Sequence, residues 1–400
     1  MERVKVEIVK FESLRYSLKS NIRQYAMLIA LVVIMAFFQI ATNGTLLVPM
    51  NVTNLVLQNS YVLILAIGMT LCILTGGNID LSVGSVAAFI AAVLGSLIIN
   101  HEMGIISGIT ISLLLGVIIG MWQGFWIAYV RIPAFIVTLA GMLLFRGLTI
   151  TMLKGLTLSP FPEAFQKISS GFIPDFFQTF GGELNFTPLI VGSVLSVVLV
   201  LIQIKKRRAQ LNNDTEIISS SLFIIQLSLV ILAINLFAYW LAAYKGIPII
   251  LLILGFLILG YHIFTTKTVP GRYIYAMGGN EKAAKLSGIN TNKVFFFVYL
   301  NMAVLSALAG IAFAARTNSA FPQLGTNFEL DAIAACFIGG ASASGGIGTV
   351  IGAIIGALVM GVLNNGMSIM GIGSDWQMTI KGFVLLMAVA FDVISKNKAK

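Results

Sequence analysis

One pattern runs through this chain from end to end: an apolar stretch of about 20 residues, a short polar or glycine-rich interruption, then another apolar stretch. A helix that crosses a bilayer needs about that length of mostly apolar sequence. Twelve segments meet the requirement, at approximately 25–41, 53–75, 82–99, 104–128, 134–153, 188–204, 217–242, 247–266, 294–315, 329–344, 347–370 and 376–394. No water-soluble fold hides so much apolar surface. Hydrophobic residues make up 58% and charged residues 10% of the chain, against roughly 45–50% and about 25% in soluble domains. A soluble enzyme and a disordered chain are therefore excluded. In lipid each segment must satisfy its own backbone, which favours helices. The expected fold class is an all-α integral membrane protein, a polytopic helix bundle of about 10–12 spans, the lower figure allowing for half-spans. The 39 glycines suit helices whose backbones approach closely.

The net charge of +10 does not point to nucleic acid, because the basic residues sit in short loops between apolar runs. Arg3, Lys5, Lys10, Arg15, Lys19 and Arg23 precede the first span, and Arg131 lies between two spans. Lys205, Lys206, Arg207 and Arg208 form a block; Lys267, Arg272, Lys282, Lys285 and Lys293 share one loop; Lys396, Lys398 and Lys400 end the chain. With twelve spans all of these fall on one side, so both termini are expected in the cytoplasm. Glu102, Glu163, Asp175, Glu183, Glu329, Asp331 and Asp375 fall on the other. The expected layout is a cytoplasmic segment 1–24, a transmembrane domain 25–394 and a cytoplasmic tail 395–400. The first apolar run lacks a small-residue cleavage site and reads as a retained helix.

Cys72 and Cys336 lie inside apolar segments and read as core, with no disulfide or metal framework. His101 and His262 have no nucleophile or second ligand beside them, which leaves no catalytic or metal site to propose. The segment 217–242 reads as a hairpin with 247–266. Two loops are too long to be turns. The outer one, 154–187, mixes Pro, Gly and aromatics; a docking surface and a lid folded over the bundle both fit it. The inner one, 267–293, contains a short helix-forming piece from Glu281 to Leu286 bounded by Gly or Asn. It reads either as a helix pressed into another subunit or as a solvated loop.

Gly76-Gly77-Asn78-Ile79-Asp80-Leu81-Ser82-Val83-Gly84-Ser85 interrupts two apolar runs. Asp80 reads as the one carboxylate near membrane depth, where an acid costs about 2.5–3.5 kcal/mol on insertion scales. Glycines permit a tight backbone break, and Ser82 stands at an N-cap position. Asp80 is either a cap that pins the break or a group lining a water-filled path. IGGASASGGIGTVIGAII echoes TGGNIDLSVGSVAAFIAA, and interrupted helices in repeated halves are common in transporters.

The pair GG-x-IDLSVGS and GR-x-x-x-AMGGN-x-x-AA-x-LSGI resembles the permease subunit of bacterial ABC importers for monosaccharides. Trp122 to Thr149 and Pro160 to Asp175 resemble its xylose-type and multiple-monosaccharide branch, and the resemblance covers nearly the whole chain. It implies that Gly271, Arg272, Gly279, Asn280, Ala283, Ala284 and Gly288 couple to an ATP-binding subunit. It also implies that the break (Gly76, Gly77, Asn78, Asp80, Ser82, Gly84) lies near the translocation path; Asn78 is a departure, at a position where relatives vary. The implied partners are a cytoplasmic ATP-binding subunit, an extracytoplasmic sugar-binding protein, a second permease chain forming a homodimer, and the lipid bilayer of a bacterial inner membrane. ATP and Mg would sit on the partner. This chain contains no Gly-Lys pair and so no phosphate-cradling loop, and it is expected to bind no cofactor. Gln58, Asn364 and Asn365 are further polar groups that either line the route or bridge helices. The rival is an ion-coupled secondary sugar transporter. It is disfavoured because Asp80 has few ionisable companions in the membrane, Arg146 and Lys381 being expected to snorkel to an interface.

Overall fold

A computed structural model describes residues 27–177, 184–212 and 220–397. The N-terminal segment 1–24, Glu183 and the last three residues, with the expectations placed on them, lie outside the described residues.

The described chain is helical throughout. In order, α1 is Met27–Ala41, α2 Pro49–Leu74, α3 Val83–Gly95, α4 Ile105–Ala128, α5 Ala134–Leu153, α6 Glu163–Ser170, α7 Phe186–Asn212 and α8 Ser220–Ala242. There follow α9 Ile249–Lys267, α10 Val269–Gly279, α11 Glu281–Leu286, α12 Thr291–Thr317, α13 Phe328–Ile338, α14 Val350–Ile369 and α15 Ser374–Asn397. Each of the twelve apolar segments became a helix. Ten helices among the described residues are long and apolar enough to cross a membrane. The segment expected at 329–344 is a half-span: α13 stops at Ile338, because Gly339 and Gly340 follow and the next residues serve a loop.

The chain divides into two compact units. Among described residues the smaller holds 47–54 and 172–248, and the larger holds 27–46, 55–171 and 249–397. In the smaller unit α7 and α8 form a hairpin. Gly192 lets Ala238 pack against α7, and Asn235 Nδ2 donates to Ser196 Oγ at 2.9 Å. The hairpin read between 217–242 and 247–266 is thus formed by α8 with α7, whose small and polar faces match, while α9 belongs to the larger unit. Asp175 organises the entry to α7. It accepts from the Thr187 hydroxyl at 2.7 Å and from the Phe186 and Thr187 amides. These bonds, the Thr187 hydroxyl first, hold its carboxyl below the ordinary value.

In the larger unit α4 and α12 lie in close contact along a stripe of small residues. A Cβ on Gly116, Gly120 or Gly124 would stand 2.7 Å from Ala307 Cβ, 2.6 Å from Leu300 Cα and 3.0 Å from Phe296 O respectively. Such stripes replace the hydrophobic drive that lipid removes. Cys72 and Cys336 are buried and free, as core residues. Of the two readings of the outer loop, its first half takes the lid form. Phe161 and Phe165 are buried, Leu158 bridges Ala320, and the Phe161 amide donates to Asn318 Oδ1 at 2.7 Å.

Lys381 and Arg146, charges within the apolar helices, have protein partners. Lys381 Nζ stands 2.9 Å from Asp331 Oδ1, and Tyr61 donates to Asp331 Oδ2 at 2.9 Å. Asp331 is buried, as is Asp392, so Asp80 is not alone among enclosed carboxylates. Arg146 donates to the Pro322 and Leu324 carbonyls at 2.9 and 2.7 Å, fixing the loop before α13.

Candidate functional site

α2 ends at Leu74 and the break begins. Gly76 and Gly77 take φ values of +123° and +75°, which L side chains rarely adopt. Space is also lacking, since a Cβ on Gly77 would lie 2.0 Å from Ala343 O. The chain then runs without regular structure to Asp80, which is 1% exposed. Asp80 Oδ1 accepts from the Ser82 amide at 2.8 Å and from the Ser82 hydroxyl at 2.6 Å. Gln123 of α4 donates to Ser82 Oγ at 2.7 Å. Ser82 occupies the N-cap position of α3 but its side chain caps nothing. Asp80 takes the amide of the residue two positions on, the turn that Asp side chains favour. Among the described residues nothing bonds to the buried Asp80 Oδ2. One oxygen therefore pins the break and the other is uncommitted. Gly84 follows against backbone: a Cβ there would stand 2.1 Å from Gly325 O and 2.6 Å from Glu329 Oε2. Asn78 is half-buried and donates only weakly, to Thr75 Oγ1 at 3.3 Å.

The inner loop is two helices. Thr268 Oγ accepts from the Gly271 amide at 3.2 Å and starts α10 with Pro270 in its first turn. A Cβ on Gly271 would stand 2.2 Å from Phe264 O, so α10 can fold tightly off α9 only with glycine there. Asn280 divides α10 from α11, and its Oδ1 accepts from the Ala283 amide at 3.0 Å. Gly288, at φ +85°, ends the piece. Arg272, Gly279, Asn280, Ala283 and Gly288 are exposed, with Lys282 and Lys285, whereas Gly271 and Ala284 are buried. Leu286 is 90% exposed at the end of α11.

The break and the inner helices meet at one point. A Cβ on Gly278 would stand 1.8 Å from Leu74 O and 2.4 Å from Gly346 N. The Gly346 amide donates to Leu74 O at 3.0 Å, and Tyr275 donates to Gly348 O at 2.9 Å. The second glycine-rich segment therefore lies against both, and the echo between the two sequences corresponds to two breaks in contact. Gly278, Tyr275, Gln123 and Arg131 escaped the sequence reading as site residues. The Gly278-Gly279 and Gly345-Gly346 pairs were the available signal for the first. Gln58 and Asn364 are half-buried and Asn365 is buried, away from these bonds.

Comparison with known proteins adds a second line. A family model described as the branched-chain amino acid transport system / permease component matches residues 51–389. The xylose transport system permease protein of Haemophilus influenzae is 40% identical over 386 residues, covering 96% of this chain and 100% of the relative. The corresponding xylose permease of Escherichia coli K12 is 38% identical over 380 residues, 95% of this chain and 94% of the relative. The ribose import permease protein of the same strain is 36% identical over 378 residues, 94% and 96%. No solved structure matches.

Proposed function

Since the chain belongs to this family of transport-system permease components, we propose that it is the membrane-spanning subunit of an ATP-driven importer for a monosaccharide of the xylose type. The single observation that carries the sugar class is near-complete coverage by xylose permeases at about 40% identity, despite the amino-acid wording of the family description. In this reading both termini and the α10–α11 pair face the cytoplasm of a bacterial cell whose inner membrane holds the protein. Two copies form the pore. A separate subunit binds ATP and Mg, and an extracytoplasmic binding protein delivers the sugar. The exposed end of α11, with Leu286 flanked by Lys282 and Lys285, supports a docking role: an apolar tip ringed by charge suits a groove on a soluble partner. Differential binding of ATP to closed partner subunits would then move α10 and α11, and with them the joint at Leu74 and Gly278.

The test is uptake of labelled xylose and ribose into proteoliposomes holding this chain, its ATP-binding partner and the binding protein. Uptake that needs internal ATP and both partners supports the reading. Uptake by this chain alone on a proton gradient overturns it in favour of ion coupling. Leu286→Asp should abolish co-purification of the ATP-binding subunit without changing the melting temperature, since Leu286 supports no core. Normal co-purification removes α11 from the docking surface.

A further inference from the structure

We infer that Arg131, in the short loop between α4 and α5, is a positioning residue that transmits movement of the coupling helices into the helix break. The inference rests on the proposal that α10 and α11 dock the ATP-binding subunit. Arg131 takes a left-handed backbone, φ +65°, uncommon for a residue with a side chain. Its guanidinium reaches three groups on two elements. Nη1 donates to Glu281 Oε1 at 2.7 Å at the start of α11. Nη2 donates to Thr291 Oγ at 3.0 Å and to Asn292 Oδ1, both at the start of α12. The guanidinium carbon lies 5.5 Å over the Phe295 ring. A planar fork can satisfy such a set together; an ammonium cannot.

The other end of the route is already built. Gln123 sits eight residues before Arg131, and the first five of those steps, to Ala128, run along α4, about 7.5 Å at 1.5 Å per residue. It donates to Ser82 Oγ at 2.7 Å, and Ser82 donates to Asp80 Oδ1 at 2.6 Å. Between them Gly124 packs on Phe296 of α12, the same helix whose first turn Arg131 holds. A displacement of α11 therefore pulls on α4 and α12 together, and α4 carries the donor that fixes the break. Thr75 and Thr138, also polar neighbours of the break, bond locally or weakly, and the contact of α10 with the break at Gly278 and Leu74 is made through backbone, without a side-chain hydrogen bond.

Spatial adjacency is not coupling, so the test must measure coupling. The complete complex, with ATP-binding subunit and sugar-binding protein, is reconstituted with wild-type chain, Arg131→Ala, Arg131→Lys, Gln123→Ala and the double variant. Sugar moved per ATP hydrolysed is the readout, because a fold defect lowers both terms while a lost linkage lowers their ratio. Arg131→Ala should lower the ratio about tenfold, within the usual range for coupled sites. Arg131→Lys should recover part of it through Glu281. Adding Gln123→Ala to Arg131→Ala should cause little further loss, as expected of residues in one route. An unchanged ratio in Arg131→Ala overturns the inference, as do additive losses in the double variant. Failure of Arg131→Ala to co-purify with the ATP-binding subunit also overturns it and makes Arg131 a docking residue. If the wild-type complex itself moves no sugar with ATP, the importer reading fails before any variant is compared.

Discussion

The two glycine-rich breaks carry similar sequences and are tied to different helices. The first, after α2, is fixed by buried side chains: Asp80 holds Ser82, and Gln123 of α4 holds Ser82 from the other side. The second, between α13 and α14, has a buried carboxylate of its own, Asp392, which accepts from the Ser342 hydroxyl at 3.4 Å, and its backbone is tied to other helices as well. Gly346 donates to Leu74 O, Gly348 accepts from Tyr275, and the Ala343 amide donates to Asp392 at 3.2 Å. The first break is thus tied to the span that ends beside Arg131, and the second to α10 itself. Similar glycine patterns supply only the freedom to bend. What holds the bend is decided by residues far away in sequence.

This contrast implies an ordering of damage. The largest effect should come from the joint where both breaks meet α10. Gly278→Leu adds a side chain where a Cβ already lies 1.8 Å from a carbonyl oxygen. Overpacking of ordinary cores costs about 1–3 kcal/mol when side chains can shift. Backbone atoms cannot give as side chains do, so this variant should fail to accumulate as a monodisperse species in detergent gel filtration. The neighbouring Gly279→Leu meets nothing within 4 Å and should elute and melt like wild type. Equal behaviour of the two variants would mean that the joint is looser than these distances.

Next in size is the side-chain lock. Asp80→Ala leaves the buried Ser82 amide without its acceptor, a loss of about 1–3 kcal/mol. Asp80→Asn keeps an acceptor oxygen and should lose less than half as much. Melting temperature in detergent measures the pair, and ATP-driven uptake separates the two roles of Asp80. If Asp80→Asn melts normally yet transports poorly, the uncommitted Oδ2 matters to the path. If it transports normally, Asp80 is a pin alone.

The sequence was informative wherever lipid dictates composition, and less so where contacts are made between distant segments. Twelve of the fifteen helices follow from apolar runs, which local residues determine. The break at Gly76 and Gly77 and the short helix from Glu281 follow from local conformational rules. The half-span α13 was concealed because the small residues from Gly339 to Ser344 carry no charge, so the apolar stretch runs on through them. Lys381 and Arg146 read as snorkelling residues because their partners, Asp331 and the carbonyls of Pro322 and Leu324, are separated from them by many spans or loops. Arg131 read as a topology marker for the same reason. A positive charge beside a span satisfies the orientation rule whether or not it also holds Glu281 and Thr291.

The smallest effect should come from the second break. Tyr275→Phe removes one hydroxyl that donates to Gly348 O and leaves the ring in place. A carbonyl that loses a neutral donor loses about 0.5–1.5 kcal/mol, and Gly348 sits in a segment held at Gly346 and Ala343 as well. The melting temperature should fall less than for Asp80→Ala. Transport should fall more than stability does, because Tyr275 is on α10, which the proposed mechanism moves together with the second break. A loss of stability as large as that of Asp80→Ala would show that this break depends on its tie to α10 as much as the first depends on Asp80, and the contrast between the two would not stand. A variant unchanged in both stability and transport would leave the contact at Gly278 as the sole tie between α10 and the second break, and the smaller Gly278→Ala substitution should then already impair uptake.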